Sequence, residues 1–487
     1  MKLLKNILYH VRMEAVQGST QMAITHASAD SREIKKDGLF IARRGTHADG
    51  HDYIDSVIAQ GAAAIICESM PSTLAAGVTY VQVKNSAAAY GQVAANWFDR
   101  PADSMKVVGV TGTNGKTTVA TLLYNLFQQA GHKCGLLSTV KVCINNEEQA
   151  ATHTTPDAWM IQSHFAAMRD VGCRFAFMEV SSHGLAQHRT EGIDFSGAIF
   201  TNISRDHLDY HKDMNDYVAA KKKLFDDLGR DAFALVNIDE KHGETMIMDC
   251  DARVFTYALE RPADYKARIL ERLASGTHIS LNNRECWLQL IGDFNVYNAM
   301  AIYGTACALE IPEDEAMQAL SALKSVDGRF QRIPGPKGIL GIVDYAHTPD
   351  ALANVLNTLK SLKQGDQRII TVVGCGGDRD KGKRPQMASI SADLSDYSIF
   401  TADNPRTEDP EQILRDMEAG LDPIQKKQCI TISDRAAAIK LACQQAQPGD
   451  LILVAGKGHE TYQEIQGVRH DFDDRKHLIE QLTELHA

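Results

Sequence analysis

The stretch Val107-Val-Gly-Val-Thr-Gly-Thr-Asn-Gly-Lys-Thr-Thr118 decides how this 487-residue chain folds. Its first five residues are mostly β-branched and predict a buried parallel strand. The turn after this strand contains Gly112 and Gly115, and apolar residues then recur every three or four positions, as on one face of a helix. Gly131 stands where such a helix would end. The stretch therefore predicts a strand, a glycine turn and a helix in direct succession.

A strand, a glycine turn, Lys-Thr and a helix form an arrangement that binds nucleoside triphosphates. Backbone N–H groups and the helix N-terminus face the phosphates, Lys116 adds a positive charge, and the Thr117 hydroxyl can reach Mg²⁺. The common pattern G-x-x-x-x-G-K-[ST] requires glycine at position 110, where this chain has Val110, with Gly109 beside it. An ordinary strand-to-helix turn is the alternative, but Lys-Thr at the start of an amphipathic helix favours a phosphate loop.

Composition and charge narrow the class of protein. The chain is 44% hydrophobic and 23% charged, which is typical of a globular protein, and its length suits about three domains. Its 51 basic and 62 acidic residues give a net charge of −11, which argues against nucleic-acid binding. The ten cysteines include no C-x-x-C pair, and no apolar stretch reaches membrane-spanning length. We therefore expect a cytoplasmic protein with reduced thiols and no membrane association.

Strand and helix patterns alternate along the whole chain and predict an α/β fold in three domains. Residues 1–104 predict a small α/β domain, with a candidate linker at 96–105. Residues 105–333 predict a P-loop-type ATPase domain with a mostly parallel sheet, and Pro334-Gly335-Pro336 marks its end. Residues 334–487 predict a Rossmann-like domain. Besides 107–111, the predicted strands are 38–42, 62–67, 78–83, 175–180, 197–202, 234–238, 340–343, 369–373, 398–401 and 451–454.

Polar residues follow two predicted strands of the central domain. Glu179 lies at the end of strand 175–180, and strand 197–202 leads to Asp206, His207, Asp209 and His211. Because the carboxyl ends of parallel strands meet at one edge of a sheet, these groups can share a pocket with the phosphate loop, where metal ligands are often placed. A carboxylate at a sheet edge and a solvated loop are the alternatives.

Lys221 lies on the apolar face of a predicted helix, 215–228. Tyr217, Leu224 and Phe225 share this face, whereas Lys222 and Lys223 can remain in water. A lysine on such a face usually extends its ammonium group to solvent, and spacing alone favours that interpretation.

Four predicted strands of the third domain each end in a polar cluster. The clusters are 344–347 (Asp-Tyr-Ala-His), 374–379 (Gly-Cys-Gly-Gly-Asp-Arg), 403–406 (Asp-Asn-Pro-Arg) and 456–460 (Gly-Lys-Gly-His-Glu). Four clusters on one rim of a sheet indicate a ligand pocket. The sequence has no G-x-G-x-x-G followed by an acidic partner, which argues against a dinucleotide.

The loop Gly-Thr-Asn-Gly-Lys-Thr (112–117) resembles that of the Mur ligase and folylpolyglutamate synthetase superfamily, which forms amide bonds with ATP as cosubstrate. Asp30-Ser31-Arg32 and the loop 45–53 resemble the N-terminal domain of Mur ligases that add the third amino acid to the peptidoglycan precursor. On the residues alone, both loops are solvated polar turns. The resemblance spans all three domains. It implies a ligase that adds meso-2,6-diaminopimelate to UDP-N-acetylmuramoyl-L-alanyl-D-glutamate through an acyl phosphate, in cell-wall synthesis.

The resemblance also implies roles for individual residues. Lys116, His207 and Lys221 are the expected catalytic residues. One Mg²⁺ is expected on Thr117 and Glu179, and a second on His207 and Lys221, because Lys221 lies in a Tyr-x-x-Ala-Lys-x-x-Leu-Phe pattern whose lysine is carbamoylated by CO₂ in the family. The expected ATP contacts are Gly112, Thr113, Asn114, Gly115, Lys116, Thr117, Thr118, Asn298, Arg329 and Asp344. Those for the nucleotide-sugar peptide are Ser31, Thr46, His47, Ala48, Thr154, Thr155, Ser181, Gln187 and Arg189. Those for diaminopimelate are Arg379, Asp403, Asn404, Pro405, Arg406, Gly456 and Glu460.

Arg406 is the expected determinant of amino-acid choice. Diaminopimelate has a second carboxylate that lysine lacks, and a buried guanidinium would gain from that group. Asn404 can orient the arrangement and Pro405 stiffens the turn. Family members that add lysine lack this Asp-Asn-Pro-Arg arrangement. A surface arginine after a proline turn is the alternative.

Two other functions compete with this interpretation. A folylpolyglutamate synthetase would lack the 403–406 motif and the UDP-type first domain. A P-loop NTPase that switches a partner on and off is the alternative from another class, although the Asn-Lys-x-Asp motif of GTPases is not present in the sequence. We expect a monomer that acts on small molecules, with a third domain that closes over the site.

Overall fold

The computed structural model describes residues 1–45 and 48–485. They form three main sheets, each with its own helices and hydrophobic core. In these two ranges, four 3₁₀ helices lie at Gly50–Tyr53, Pro101–Ser104, Pro336–Gly338 and Gln425–Gln428. Within the described residues, no helix combines the length and apolar composition needed to cross a membrane.

The first unit contains a five-stranded sheet. Its elements are β1 (Lys2–Leu3), α1 (Leu4–Ile7), β2 (Met13–Gln17), β3 (Ala23–Ile24), β4 (His26–Ser28), β5 (Gly38–Ile41), α2 (Ile54–Ala59), β6 (Ala62–Cys67), β7 (Thr79–Val83) and α3 (Ser86–Trp97). The strand order is β2-β7-β6-β5-β4, with β2 antiparallel to β7 and the others parallel. Strands β1 and β3 form a separate antiparallel pair.

The central unit contains an eleven-stranded sheet. Its elements are β8 (Lys106–Thr111), α4 (Lys116–Gln129), β9 (Cys134–Leu137), β10 (Lys141–Ile144), β11 (Glu147–Ala150), α5 (Ala158–Asp170), β12 (Phe175–Glu179), α6 (Ser182–Ala186), β13 (Gly197–Phe200), α7 (Met214–Asp226), β14 (Phe233–Asn237), α8 (Gly243–Ile247), β15 (Arg253–Ala258), β16 (Tyr265–Leu273), β17 (Gly276–Leu281), β18 (Arg284–Leu288), α9 (Asp293–Ala308) and α10 (Glu313–Ala322).

Strand β8 lies near the middle of this sheet. The order is β11-β10-β9-β12-β8-β13-β14-β15-β16-β17-β18, and the seven strands from β9 to β16 are parallel. Antiparallel strands extend both edges. Helices α4 and α9 cover one face and pack into one core, while α5 and α7 pack into a second core on the other face. This order brings the ends of β12, β8 and β13 together.

The third unit contains a six-stranded sheet of order β19-β20-β24-β21-β22-β23, in which only β19 is antiparallel to its neighbour. Its elements are β19 (Gln331–Pro334), β20 (Leu340–Asp344), α11 (Pro349–Leu362), β21 (Ile369–Cys375), α12 (Lys383–Leu394), β22 (Tyr397–Ala402), α13 (Pro410–Glu418), β23 (Cys429–Thr431), α14 (Arg435–Gln445), β24 (Leu451–Ala455), β25 (Tyr462–Ile465), β26 (Val468–Asp471) and α15 (Asp474–Glu484). Strands β25 and β26 form a separate hairpin.

The α/β class and the mostly parallel central sheet are confirmed. The predicted strands occur with ends shifted by no more than two residues, and Gly131 follows the end of α4 with φ +80°. Strand β19 begins at Gln331, so the first strand of the third sheet spans the predicted boundary at residue 333. The expected linker is largely structured, because α3 ends at Trp97 and Met105 is buried in the central core.

Candidate active site

The phosphate loop connects β8 to α4, and its glycines are required by close neighbours. A Cβ on Gly112 would lie 1.9 Å from the Thr201 Oγ1, and one on Gly115 would lie 2.7 Å from the Asn298 Oδ1. Both glycines also have positive φ, +151° and +88°. Any other residue at either position would strain the backbone or displace these neighbours.

Two lysines, the half-buried Lys116 and the buried Lys221, share one backbone oxygen of this loop. The Lys116 Nζ donates hydrogen bonds of 2.8 Å to the carbonyl oxygens of Gly112 and Thr113, and the Lys221 Nζ donates to the same Gly112 oxygen, also at 2.8 Å. Burial lowers the pKa of Lys116. Burial, reinforced by the charge of Lys116, holds the pKa of Lys221 well below its usual range. Two amine groups, one from α4 and one from α7, therefore meet at the phosphate loop.

Lys221 does not extend to solvent as its spacing suggested. The residue is 1% exposed, and its Nζ lies 4.5 Å from the centre of the Tyr217 ring. The helix carries it against the phosphate loop, where the Gly112 carbonyl replaces water as a hydrogen-bond acceptor. The spacing of apolar residues predicted which face of α7 is buried, but it could not show that this face packs against the phosphate loop.

Glu179 is placed next to the phosphate loop by the pairing of β12 with β8. Its Oε2 accepts a hydrogen bond of 2.9 Å from the Thr117 hydroxyl, and its Oε1 accepts one of 2.6 Å from the Thr139 N–H. The Thr139 hydroxyl donates to the Thr154 hydroxyl at 3.0 Å. Glu179 is 1% exposed. A buried carboxylate bonded to the phosphate-loop threonine is a donor set of hard oxygens, which suits Mg²⁺.

His207 follows β13 in a left-handed backbone conformation, with φ +56°. Burial lowers the pKa of His207, and this effect outweighs the nearby negative charge of Asp206, which raises it. The imidazole is therefore neutral and able to act as a metal ligand. Among the described residues, no group of three or more His, Cys, Asp or Glu side chains is arranged to hold a metal ion. A cation at this site would therefore need Thr117, phosphate oxygens or a modified lysine to complete its coordination.

A cavity of about 330 Å³ lies between the central and third units. Asn114, Gly115, Thr118, Asn298 and Asp344 line it. The Arg329 guanidinium lies over the Tyr345 ring at 4.5 Å and donates to the Thr117 hydroxyl at 2.9 Å. Burial raises the pKa of Asp344, and its carboxylate accepts from the N–H groups of Phe330 and Ala346. Six of the residues expected to contact ATP therefore surround one cavity next to the phosphate loop, namely Asn114, Gly115, Thr118, Asn298, Arg329 and Asp344.

A second cavity, of about 1160 Å³, lies between the first and central units. Ser31, Ala48, Gln187 and Arg189 line it, whereas Thr46 and His47 lie outside the described residues. Thr155 is instead buried behind the cavity, where its hydroxyl donates to the Glu179 carbonyl oxygen and accepts from the Ser181 N–H. The residues expected to contact a nucleotide-sugar peptide thus form two groups, one in this cavity and one beside Glu179.

Three of the four predicted clusters of the third unit meet at the ends of β21, β22 and β24. Asn404 donates to the Glu460 Oε2 at 2.8 Å, and a Cβ on Gly456 would lie 2.7 Å from the Asp403 Oδ2. Pro405 packs against the loop 374–379, since a Cβ on Gly377 would lie 2.0 Å from the Pro405 carbonyl oxygen. Arg379 donates to the neighbouring Asp378 carbonyl oxygen at 3.1 Å.

Arg406 is only half-buried, not buried as the sequence suggested. Its Nη1 donates to the Gly377 carbonyl oxygen at 2.7 Å. Its backbone has φ +51° and is held by the β25–β26 hairpin, where its N–H donates to the Glu464 oxygen and its own oxygen accepts from the Gln466 N–H. The hairpin covers the backbone of Arg406 but leaves part of the guanidinium open to a ligand.

Sequence reasoning assigned no role to Lys457, which is fully buried in this pocket. Its Nζ donates to the Asn404 Oδ1 at 3.1 Å and to the Glu460 Oε2 at 2.9 Å. Thr139 was missed as well. The Gly-Lys-Gly-His-Glu cluster was the available signal for Lys457, while nothing in the sequence near Thr139 marks its contact with Glu179.

Comparison with known proteins supports one family along most of the chain. Residues 23–98 match the family model described as Mur ligase family, catalytic domain, residues 110–306 match the Mur ligase middle domain, and residues 328–458 match the Mur ligase, glutamate ligase domain. The chain is 49% identical to the UDP-N-acetylmuramoyl-L-alanyl-D-glutamate--2,6-diaminopimelate ligase of Bacteroides thetaiotaomicron, over 98% of this chain and 99% of that protein. It is 50% identical to the ligase of the same name from Parabacteroides distasonis, over 98% of each chain.

Solved structures agree with the sequence relatives. A structure of a UDP-N-acetylmuramoyl-L-alanyl-D-glutamate--2,6-diaminopimelate ligase is similar with a TM-score of 0.70 and 33% identity, covering 100% of this chain and 99% of that one. A folylpolyglutamate synthase from Mycobacterium tuberculosis, complexed with ADP and AMPPCP, has a TM-score of 0.61 and 18% identity, covering 76% of this chain and 93% of that one. The second similarity extends to the fold alone.

Proposed function

The chain belongs to the Mur ligase family, and we propose that it joins 2,6-diaminopimelate to UDP-N-acetylmuramoyl-L-alanyl-D-glutamate with ATP as cosubstrate. Two relatives named for that activity are 49% and 50% identical in sequence over 98% of this chain. The observation that carries the assignment in the structure is the convergence of Lys116 and Lys221 on the Gly112 carbonyl, beside Glu179. Such a site holds the phosphates of ATP next to a position for a carboxylate substrate.

The reaction requires two transfers at one place. The D-glutamyl side-chain carboxylate attacks the γ-phosphorus of ATP, ADP leaves, and an acyl phosphate forms. The amine of diaminopimelate then attacks the acyl carbon, loses a proton, and releases phosphate. Negative charge is concentrated on the phosphoryl group in the first transfer, so positioned cations should contribute most to the rate. We assign this role to Lys116, at the start of α4.

The residues around the phosphate loop fit a divalent cation. We propose that Thr117 and Glu179 hold one Mg²⁺, and that His207 and a carbamate on Lys221 hold another. The hydrogen bond between the Thr117 hydroxyl and the Glu179 carboxylate supports the first assignment. The burial and lowered pKa of Lys221 support the second, because a neutral amine is the form that adds to CO₂. When bound, Mg²⁺ would neutralise charge on the phosphates.

We propose that the three substrates occupy three regions of the site. ATP occupies the cavity lined by Asn298 and Asp344, with Arg329 near the phosphates. The nucleotide sugar occupies the larger cavity that Ser31 and Arg189 line, and its peptide extends toward Glu179. Diaminopimelate binds near Asp403, Asn404, Arg406 and Glu460. Contacts of Asn114 with Asp350 and of Arg205 with Asp380 hold the third unit against the centre, which supports its role as a closing lid.

We further propose that the enzyme acts as a monomer in the cytoplasm. The ten cysteines are free thiols, which suits a reducing compartment.

The overall assignment is tested by the cosubstrate requirement for phosphate release. A ligase should release phosphate from ATP only when both the nucleotide dipeptide and diaminopimelate are present, and the product should gain the mass of diaminopimelate less one water. An NTPase switch would hydrolyse ATP without either cosubstrate. Phosphate release at the same rate with and without these two compounds would contradict the proposal.

Lys116→Ala should lower turnover by at least about 10²-fold, because one cation is lost from the transferring phosphoryl group. The affinity for uridine nucleotides should stay within about twofold of wild type, because the cavity proposed for them lies outside the phosphate loop. Steady-state kinetics and calorimetry with UDP would measure the two effects separately. Parallel loss of UDP binding would show that the two sites are not independent as proposed.

A further inference from the structure

One carboxylate connects the first and central units inside the larger cavity. Asp157 immediately precedes α5, and its Oδ1 accepts from the Trp159 N–H at 3.0 Å, as a helix N-cap. The same Oδ1 accepts from the Tyr90 hydroxyl at 2.9 Å, and its Oδ2 accepts from the Arg43 Nη1 at 3.2 Å. Tyr90 lies on α3 and Arg43 follows β5, so both partners belong to the first unit.

These three side chains also support one another. The Arg43 guanidinium lies over the Tyr90 ring, 4.4 Å from its centre. Tyr90 is 8% exposed, and its burial together with the negative charge of Asp157 raises the pKa of its hydroxyl. The phenol therefore stays protonated and acts only as a donor toward Asp157. Nothing in the helix cap itself requires these two partners.

The position of Asp157 relates the bridge to the reaction. Asp157 follows Thr155 by two residues, and Thr155 is tied through its hydroxyl to the backbone of Glu179. Arg43, Tyr90 and Asp157 all line the cavity between the units, together with Ser31 on one wall and Arg189 on the other. A ligand that spans this cavity contacts both units at once, so the spacing of the units determines whether both of its ends can bind.

We propose that Asp157 is a positioning residue that sets the spacing of the first unit from the centre, so that a nucleotide-linked peptide held at one end reaches the phosphate loop at the other. This inference rests on the proposed function. The two ends of such a ligand bind as linked modules, and their combined affinity falls when the geometry no longer lets both engage. A second contact, from the Asn85 Nδ2 to the His188 Nε2 at 3.0 Å, also joins the units and should limit the loss.

The bridge can be removed without removing the helix cap. Asp157→Ser keeps a capping hydroxyl, since serine and aspartate cap helices about equally well, but it removes the carboxylate that accepts from Tyr90 and Arg43. Tyr90→Phe leaves the cap untouched and removes only the hydrogen bond between the units. Tyr80→Phe is the matched control, because the Tyr80 hydroxyl accepts from the Ala75 N–H within the first unit.

The experiment compares wild type, the three single variants and the Asp157→Ser/Tyr90→Phe double variant in the reaction with ATP and diaminopimelate. Asp157→Ser and Tyr90→Phe should each raise the KM for the nucleotide dipeptide about five- to tenfold. The KM for ATP and the affinity for UDP alone, measured by calorimetry, should stay within about twofold. The double variant should resemble Asp157→Ser, because both changes remove the same bond. Tyr80→Phe should leave the KM unchanged.

Three results would overturn the inference: an unchanged KM in Tyr90→Phe, a fall in UDP affinity that matches the rise in KM, or a double variant in which the two effects multiply. The first would show that the bridge carries no function, and the second would show damage confined to the first unit. The third would show that the two residues act independently. Failure of the proposed function is distinct, because wild type would then form no product from the same cosubstrates.

Discussion

Lys221→Ala should be inactive in amide formation, and acetate or formate should restore part of its turnover. Lys221 is buried against the phosphate loop, and its ammonium form is disfavoured there. If its amine carries CO₂ as a carbamate, the residue contributes an anion, and a small carboxylate can occupy the space left by alanine. Lys221→Arg should remain inactive, because a guanidinium does not take up CO₂ under these conditions.

Two measurements and a control variant test this expectation. Turnover is followed with and without added carboxylate, and ¹³C-labelled bicarbonate should give a carbamate signal by NMR in wild type but not in Lys221→Ala. Lys222→Ala is the matched control: its side chain pairs with Asp226 on the same helix, away from the loop, and turnover should stay within about twofold. Full activity of Lys221→Ala would contradict the carbamate proposal. An inactive variant without rescue would leave the lysine essential but the carbamate unsupported.

Wild-type enzyme should use diaminopimelate at least about 10³-fold more efficiently than L-lysine, and Arg406→Ala should remove most of that preference. A guanidinium offers paired donors to the second carboxylate of diaminopimelate, and with lysine those donors would be left without a counter-charge. Binding sites built on such a bond can prefer the substrate that makes it over the analogue that lacks it by about 10⁴-fold or more when water is excluded. Arg406 is half-buried, so the lower value is expected. The preference should narrow because diaminopimelate becomes a poorer substrate, with a higher KM.

The backbone of Arg406 requires a second variant. Alanine is disfavoured at φ +51°, whereas asparagine adopts this conformation more readily. Arg406→Asn should therefore show the same loss of preference as Arg406→Ala if the guanidinium is responsible. Steady-state kinetics with both amino acids would measure it. Equal use of lysine and diaminopimelate by wild type, or an unchanged preference in both variants, would contradict the assignment.

Most of the parallel strands were predictable because each of those is a short apolar run that ends in polar residues, although β9, which is parallel and buried, was not predicted. Strand β8 starts one residue earlier than expected and ends at Thr111 as expected. Strands β15 to β18 were missed, since polar or charged residues interrupt the apolar positions in each of them. A signal was present at Asn282-Asn283, which connects β17 to β18 with φ +47° and +65°. Two such residues are typical of a tight hairpin turn.

Side chains at strand ends were also predictable, because topology brings the ends of parallel strands together. Glu179 and the 403–406 cluster illustrate this. The contact of Lys457 with Asn404 and that of Asp157 with Tyr90 were not predictable, since the partners lie more than fifty residues apart in the chain. Whether Lys221 reaches solvent likewise depended on the shape of the groove that α7 enters. The period and spacing of apolar residues describe one helix or strand at a time. They carry no information about the surface against which that helix or strand packs.

The hairpin that holds Arg406 has a practical consequence for changing the acceptor amino acid. A library that varies position 406 alone would be enriched in glycine, asparagine and aspartate, since these adopt a left-handed backbone most readily, whatever amino acid is offered. Redesign should therefore begin with Tyr462–Ile465, whose pairing imposes that backbone. Altering this strand first would open the position to other side chains, and selection could then act on the chemistry of the new acceptor.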